Sequence, residues 1–304
     1  RMTGVASRLR QGEAVDLNAD LITDLPLLVL SELVELPIDD IRRVKDFSAA
    51  ALELFWGPID PARQEQLAER VGAYHVELRG IARTGPGLAA ALRAGGFGED
   101  EVTATLFFLL VAGQETTSQF LTLLTHRLLD APRELLDGLV GGWVDISATV
   151  EEGLRLEPPI VSWRRVTAVD TAIGGLAVPA GTSVLLWLGA ANRVEAASAH
   201  DFVPGQPGSR RHLSFGAGAH RCLGTQLARM EAAVVLGELA PLLRGCTVVQ
   251  APAYPDNLSF RMPDALIVRM IMGTVDIERS KNRLADGISR LNVDKEPRLE
   301  VIQT

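Results

Sequence analysis

The sequence predicts a mainly helical protein with small β-sheets, and three observations predict this fold class. The first half of the chain carries apolar residues at three- and four-residue spacing, which is typical of amphipathic helices. Short β-branched runs occupy the middle, and a further helical stretch follows near residue 224. The 304 residues, 47% of them hydrophobic, suffice for a large core in one big domain or two ordinary ones.

Helices account for most of the first half. Residues 19–36 and 39–56 are amphipathic and are broken near prolines, and another amphipathic stretch begins after Pro61. The stop GGFGED then precedes a helix that we predict over 100–129. Two further helices are predicted within 133–156.

Short strands follow, because IVSWRRVTAV, TAIGGLAVP and TSVLLWLGA are β-branched and apolar, with Gly-Gly and Pro-Ala-Gly turns between them. Residues 192–214 are irregular and polar, and a helix is predicted over 224–243. The segments CTVVQ and LIVRMIM predict two closing strands. Charged residues dominate 273–304, so we expect a solvated appendage, or the start of something truncated, beyond a domain at 1–272.

Charge and composition exclude several classes of protein. A net charge of −8 argues against nucleic-acid binding, which needs a sustained basic surface. The opening RMTGVASRLR lacks the apolar core of a signal peptide, and the longest apolar runs are too short to cross a bilayer. We therefore expect a cytoplasmic protein with no nucleic-acid or membrane partner. Its two cysteines are too few for a disulfide framework, which fits a reducing compartment.

The loop FGAGAHRCLG, residues 215–224, carries the features that a metal-bound thiolate needs. Gly216 and Gly218 permit tight turns and let a flat group approach the main chain. Cys222 stands just before a helix whose positive end can stabilise a thiolate. The alternative is an ordinary buried cysteine before a helix, and for the loop taken alone this simpler interpretation is preferred.

The spacing in this loop resembles the haem-binding loop of the cytochromes P-450, F-x-x-G-x-H-x-C-x-G, matched here by Phe215, Gly218, His220, Cys222 and Gly224. The resemblance implies that Cys222 is the proximal thiolate ligand of the iron in haem b (iron protoporphyrin IX). There it would push electron density onto the metal so that the bound O–O bond can be cleaved. The resemblance also implies that Phe215, Gly216 and Gly224 contact the cofactor.

A second motif lies in the predicted long helix, where AGQET at 112–116 resembles the family's A/G-G-x-D/E-T. Thr116 can bond back to the carbonyl of Ala112, and with Gly113 this bond would loosen the helix and open a groove for dioxygen beside the haem. Glu115 and Thr116 would then act as catalytic residues that relay protons to the distal oxygen. The alternative, a solvated polar cluster, is disfavoured by the apolar surroundings LFFLLVAG.

Glu152 and Arg155 resemble the family's E-x-x-R pair, which shares one helix face and serves structure rather than catalysis. The family usually has an arginine that completes this network. Alignment on Phe202 and His212 places Gln206 there instead, so we expect a weaker network.

Haem propionates need cationic or hydrogen-bonding partners. The resemblance implies that Arg165, in an R-x-T-x-x-D setting, meets one propionate and that His220 meets another. His212 and Arg221 are further candidates for the same task. For Arg165 the alternative is an ordinary cation on an edge strand.

The resemblance extends roughly from Val15 to Met272 and implies the cytochrome P-450 fold, a helix-rich triangular prism that is N-terminally incomplete. We expect the segment that normally covers one haem face, together with another propionate-binding arginine, to be absent. The implied activity is that of a haem-thiolate monooxygenase, which inserts one oxygen atom from O2 into a small organic substrate. Expected pocket walls are Leu109, Ala112, Thr117, Trp163 and the residues near Phe260.

Electrons would come from a donor of the ferredoxin and ferredoxin reductase type, docked on the cysteine side. The donor would dock on a basic patch of this chain that comprises Arg210, Arg211, Arg221 and Arg229, unless these cations form a scattered solvated surface. An alternative function is that of a truncated or degenerate family member, acting as a non-catalytic haem-binding or interaction module.

Overall fold

The computed structural model describes residues 1–36, 41–194 and 196–271, and most of them are helical. The predicted tail at 273–304 lies outside the described residues. The helices are α1 (Met2–Arg10), α2 (Leu25–Val34), α3 (Ile41–Trp56), α4 (Pro61–Thr84), α5 (Gly87–Ala94), α6 (Glu99–Ala112), α7 (Glu115–Asp130), α8 (Arg133–Gly141), α9 (Ile146–Leu156), α10 (Leu188–Ala191) and α11 (Thr225–Leu243).

Seven short strands complete the described part of the chain and confirm the predicted class, mainly α with small β-sheets. All pairings are antiparallel: β1–β7–β6 form one sheet, β2 pairs with β5, and β3 pairs with β4. The strands are β1 (Ala14–Asp16), β2 (Trp163–Val166), β3 (Thr171–Ile173), β4 (Leu176–Val178), β5 (Ser183–Leu186), β6 (Cys246–Gln250) and β7 (Ile267–Met270).

The three-stranded sheet joins the two ends of the described chain. Val15 of β1 and Val248 of β6 both stand opposite Val268 of β7, and Val15 and Val268 are fully buried. Beyond the sheet, the Asn18 side chain donates to the carbonyl of Asp264 at 2.9 Å. The first strand therefore completes a sheet whose other members come from the last part of the sequence.

Among the residues that the structure describes, two hydrophobic clusters form the core. One contains the apolar faces of α7, α9 and α11 and the three-stranded sheet, and the other contains those of α3, α4 and α6. Leu106 and Leu110 belong to the second cluster, whereas Phe120 and Leu124 belong to the first. The chain thus passes from one core to the other between α6 and α7.

The single helix predicted over 100–129 is wrong, because the structure ends α6 at Ala112 and begins α7 at Glu115. Apolar periodicity continues across the interruption, so the pattern alone does not reveal it. Among the described residues, no helix is long and apolar enough to cross a membrane.

Candidate functional site

The cysteine loop presents its sulfur at the surface. Cys222 is exposed and lies between a 3-10 turn at Gly218–His220 and the first residue of α11, Thr225. Its backbone N–H donates to the carbonyl of Phe215 at 2.9 Å, and the Thr225 hydroxyl donates to the carbonyl of Cys222 at 2.6 Å. These two bonds fix the backbone on both sides of the thiol.

The loop leaves room for a flat group against its main chain. Gly216 and Gly218 have φ angles of 66° and 76°, which side-chain-bearing residues rarely adopt. A β-carbon at either position would meet no heavy atom within 4 Å, and Leu223 beside the cysteine is 93% exposed. An accessible sulfur, open space over two glycines and an uncovered apolar side chain fit a macrocycle held through a thiolate.

Partly buried hydrogen bonds hold the residues just before the loop against the end of α9 and against Asn192. The Ser214 hydroxyl donates to the carbonyl of Leu154 at 2.6 Å. Asn192, 4% exposed, accepts the backbone N–H of Leu213 at 2.7 Å and donates to the Ser214 hydroxyl at 3.0 Å. The sequence analysis missed Asn192 and Ser214, because the partners of their side chains lie more than 20 residues away along the chain.

Glu151 links α9, the loop and α11. Its carboxylate lies 3.2 Å from Nε2 of His212 and accepts a paired contact from the Arg229 guanidinium. Burial by itself would raise the pKa of Glu151, but the hydrogen bonds and charges of His212 and Arg229 outweigh it and lower that pKa to about 2. Arg229 also lies over the Phe215 ring, 4.7 Å from its centroid.

These contacts change two predicted roles. The His212 side chain is 1% exposed, and Nδ1 accepts the Ser214 N–H at 3.3 Å, so both ring nitrogens are engaged within the protein rather than offered to a propionate. Arg229 is likewise held by Glu151, so it is not a docking cation of the kind predicted. Both residues instead support the loop.

The predicted Glu152–Arg155 pair is buried, with side chains 0% and 1% exposed, and two hydrogen bonds of 2.8 and 2.9 Å join them. Arg155 also donates to the carbonyls of Ala199 and Ser198. Gln206 donates to Glu152 at 2.5 Å. The Gln206 amide therefore reaches the carboxylate that the family's arginine would reach, but as a neutral donor. The weaker network stays a prediction.

The interruption between α6 and α7 carries the second motif. The Thr116 hydroxyl donates to the carbonyl of Ala112 at 2.8 Å, which confirms the predicted bond. Glu115 forms an ion pair with Lys45 of α3 at 3.2 Å, and both side chains are only 13 to 14% exposed. Lys45 was missed because 70 residues separate it from the motif.

The candidate propionate partners Arg165 and His220 are both exposed, as is Arg221. Arg165 lies on β2 and its guanidinium donates to the neighbouring carbonyl of Arg164 at 2.9 Å. It also lies 5.8 Å from the centroid of the Trp163 ring. The side chains of these three residues are accessible to a ligand.

Among the expected pocket walls, Thr117 is 7% exposed; Phe260, near which further walls were expected, is 3% exposed. These wall assignments stay predictions. Trp163 lies in an aromatic group with Trp56 and Phe260, where Trp56 is 5.9 Å from Trp163 and 5.1 Å from Phe260 between ring centroids. Leu109, Ala112 and Trp163 remain partly exposed.

A cavity of about 510 Å³ adjoins the second motif. The motif signal itself does not predict it, since its walls come from three separate parts of the chain. They include Asn18, Thr23, Glu115, Gln119, Tyr254 and Met262.

The structure thus contains an exposed cysteine in a glycine loop before a helix, a hydroxyl-bonded helix interruption and a buried E-x-x-R pair, the three features on which the resemblance to haem-thiolate proteins rests. Comparison with known proteins agrees. The Cytochrome P-450 family model matches residues 146–253. The structure of cytochrome P-450 CREJ in complex with (4-ethylphenyl) dihydrogen phosphate has a TM-score of 0.81 and 30% identity, covering 89% of this chain and 72% of that one.

Mycobacterium smegmatis CYP164A2 with econazole bound is also similar, with a TM-score of 0.76 and 30% identity over 88% of this chain and 72% of that one. The chain therefore belongs to the cytochrome P-450 family, and it has the cytochrome P-450 fold. Members of this family bind haem, iron protoporphyrin IX, through a cysteine thiolate.

Two curated relatives are named hydroxylases. Erythromycin C-12 hydroxylase of Saccharopolyspora erythraea is 32% identical over 75% of this chain. Beta-dihydromenaquinone-9 omega-hydroxylase of Mycobacterium tuberculosis is 37% identical over 57% of it. The chain spans 61% of the first relative and 36% of the second, which is less than two thirds of either.

Proposed function

We propose that the chain is the haem-binding part of a monooxygenase that inserts one oxygen atom from O2 into a small organic substrate. The observation that supports this most strongly is the exposed Cys222 sulfur beside two glycines with open space above them. The names of the curated relatives, both hydroxylases, favour hydroxylation as the reaction.

The residues divide the task of holding haem. Cys222 would bind the iron, while Phe215, Gly216 and Gly224 would lie against the macrocycle from the cysteine side. Ala112 and Gly113 would face it from the helix interruption. Arg165 and His220 would pair with the propionates, because both side chains are exposed and carry donors. When bound, a thiolate-ligated haem supplies the activation of dioxygen.

Glu115 and Thr116 would manage protons. Lys45 holds the Glu115 carboxylate in place in a mostly buried setting. The cavity that Glu115 lines gives this carboxylate access to water. Thr116 holds its hydroxyl on the Ala112 carbonyl and can pass a proton along the same groove.

The substrate would be a small, largely apolar organic molecule. The partly exposed Leu109, Ala112 and Trp163 offer apolar walls, and the Trp56–Trp163 contact gives one of these walls a rigid aromatic backing. Electrons would come from an acidic ferredoxin-type donor on the cysteine side, where Arg210 and Arg221 are exposed.

The test uses the chain loaded with hemin, a ferredoxin and its reductase, ¹⁸O2 and a panel of apolar compounds. Products that carry one ¹⁸O atom, with reductant consumption stimulated by the same compounds, are the expected result. A protein that forms the thiolate-type complex with CO but yields no labelled product across the panel would instead support the haem-binding module, the second candidate function.

A further inference from the structure

The interruption between α6 and α7 is held from outside by α3. Ser48 of α3 is 0% exposed, and its hydroxyl donates to the carbonyl of Leu110 at 3.0 Å. The same hydroxyl oxygen accepts the Nε2 amide of Gln114, also 0% exposed, at 2.6 Å. One buried hydroxyl therefore contacts both the last turn of α6 and the interruption itself.

The Leu110 carbonyl is the group that the backbone N–H of Gln114 would reach in an uninterrupted helix, since α-helical bonds join residues four apart. Between these two described residues no such backbone bond is present, and the Ser48 hydroxyl takes its place. The Thr116 hydroxyl donates to the next carbonyl but one, that of Ala112, at 2.8 Å. Side-chain hydroxyls thus donate to two carbonyls of the last turn of α6.

The directions of these bonds follow from the number of hydrogens. Ser48 has a single hydroxyl hydrogen and donates it to Leu110, so Gln114 must be the donor in the other contact. That orientation leaves Oε1 of Gln114 buried with no hydrogen-bond partner among the described residues. The Gln114 amide therefore keeps its bond to Ser48 although the other amide atom stays unsatisfied, which is unfavourable by itself.

We propose that Ser48 and Gln114 are positioning residues that keep the helix open between Ala112 and Glu115, and so set the place of Gly113 and Thr116. The consequence for dioxygen and proton handling rests on the proposed function. Lys45, one turn before Ser48 on α3, holds Glu115 just beyond the same interruption. One face of α3 thus fixes the motif at two points.

The test is amide hydrogen exchange, resolved by residue, in the Ser48→Ala protein. Without the hydroxyl, the Leu110 carbonyl is free to accept the N–H of Gln114, and the helix closes. The Gln114 amide should then exchange at least tenfold more slowly than in the wild type. Unchanged or faster exchange of that amide would overturn the proposal, because a merely supportive serine would loosen the region when removed.

A matched control is Ser162→Ala. Ser162 is also 0% exposed, and its hydroxyl donates to the carbonyl of Leu258 at 2.8 Å. Its hydrogen-bond partners, Leu258 and Ser259, are not part of the interruption. Removal of the Ser162 hydroxyl should leave the exchange rate of the Gln114 backbone amide unchanged. Should Ser48→Ala fail to fold, Gln114→Met tests the same arrangement. It removes the amide that orients Ser48 and should slow exchange of residue 114 by about threefold, and no slowing would overturn the proposal.

The exchange result is separable from the proposed function. If the wild-type protein forms no thiolate-type CO complex, the monooxygenase proposal fails while the exchange of residue 114 still decides the role of Ser48. If that complex forms, Ser48→Ala should also release a larger share of reductant as peroxide than Ser162→Ala.

Discussion

Glu151 supports the cysteine loop, because its carboxylate contacts both His212, just before the loop, and Arg229 of α11, which lies over Phe215 of the loop. An ionised carboxylate that accepts such bonds is stabilised in the folded protein. These contacts lower the pKa of Glu151 from an ordinary 4.5 to about 2. Loop geometry and α11 are therefore coupled through one side chain.

Because the pKa of Glu151 is lower in the folded state than in the unfolded state, its contribution to stability is complete above about pH 4.5 and is lost as the pH falls toward 2. Glu151→Gln should lower the free energy of unfolding by about 1–3 kcal/mol at pH 7, because the hydrogen bonds to its charged carboxylate are lost. Below pH 4.5, the difference in the free energy of unfolding between Glu151→Gln and the wild type should shrink. Urea unfolding between pH 3 and 7 measures this, with exposed Glu65→Gln as the control; parallel curves for wild type and Glu151→Gln would contradict the assignment.

The pKa of Glu231 in α11 is shifted in the opposite direction from that of Glu151. It is 5% exposed, burial raises its pKa to about 7, and its Oε2 has no hydrogen-bond partner among the described residues. Since the folded pKa is raised, stability is lost as the pH rises from about 4.5 to 7. Glu231→Gln should therefore raise the free energy of unfolding at pH 8 by about 1–3 kcal/mol relative to wild type, and change it little at pH 4.5. Equal destabilisation at both pH values would rule this out.

The α6–α7 interruption is the element on which the proposed chemistry depends. Thr116→Ala removes the hydroxyl that holds the Ala112 carbonyl, so proton delivery should fail more often. We expect the share of reductant released as peroxide to rise by about tenfold or more while the CO complex is kept. Thr125→Ala on the same helix removes a like bond, 2.7 Å to Leu121, and should leave that share unchanged. Normal coupling in Thr116→Ala would refute the relay.

Motif spacing predicted the parts of these elements that depend on short sequence separations. The Thr116–Ala112 bond and the Glu152–Arg155 pair were predictable, since residues three or four apart share a helix face. Long-range contacts were not predictable. Ser48, 62 residues before Leu110 in its hydrogen bond, carries no signal in its own sequence neighbourhood.

The same distinction applies to the cysteine loop. The five motif residues and the glycine turns were predictable, because spacing and φ are local properties. The burial of the His212 side chain was not predictable. Its partner Glu151 lies 61 residues upstream on α9, and the sequence pattern does not show which face of that helix points toward the loop.

At the scale of the whole molecule, two cores meet at the interruption, and a sheet joins the first strand to the last. The fold class was predictable from periodicity. The pairing of β1 with β7 was not, because a three-residue strand at 14–16 is too short to produce an alternating pattern. The molecule places the cysteine loop on the first core and the Lys45 and Ser48 contacts on the second.

The central claim is that the sulfur of Cys222 binds haem iron, and the most direct measurement is the CO difference spectrum of the dithionite-reduced, hemin-loaded protein. The wild type should show the strongly red-shifted Soret band of a thiolate-ligated haem, and Cys222→Ala should lose it while Cys246→Ala keeps it. Cys246 is a suitable control because it is a buried thiol in β6 that bonds a backbone carbonyl. A wild-type spectrum without that band, or a band that persists in Cys222→Ala, would contradict the account.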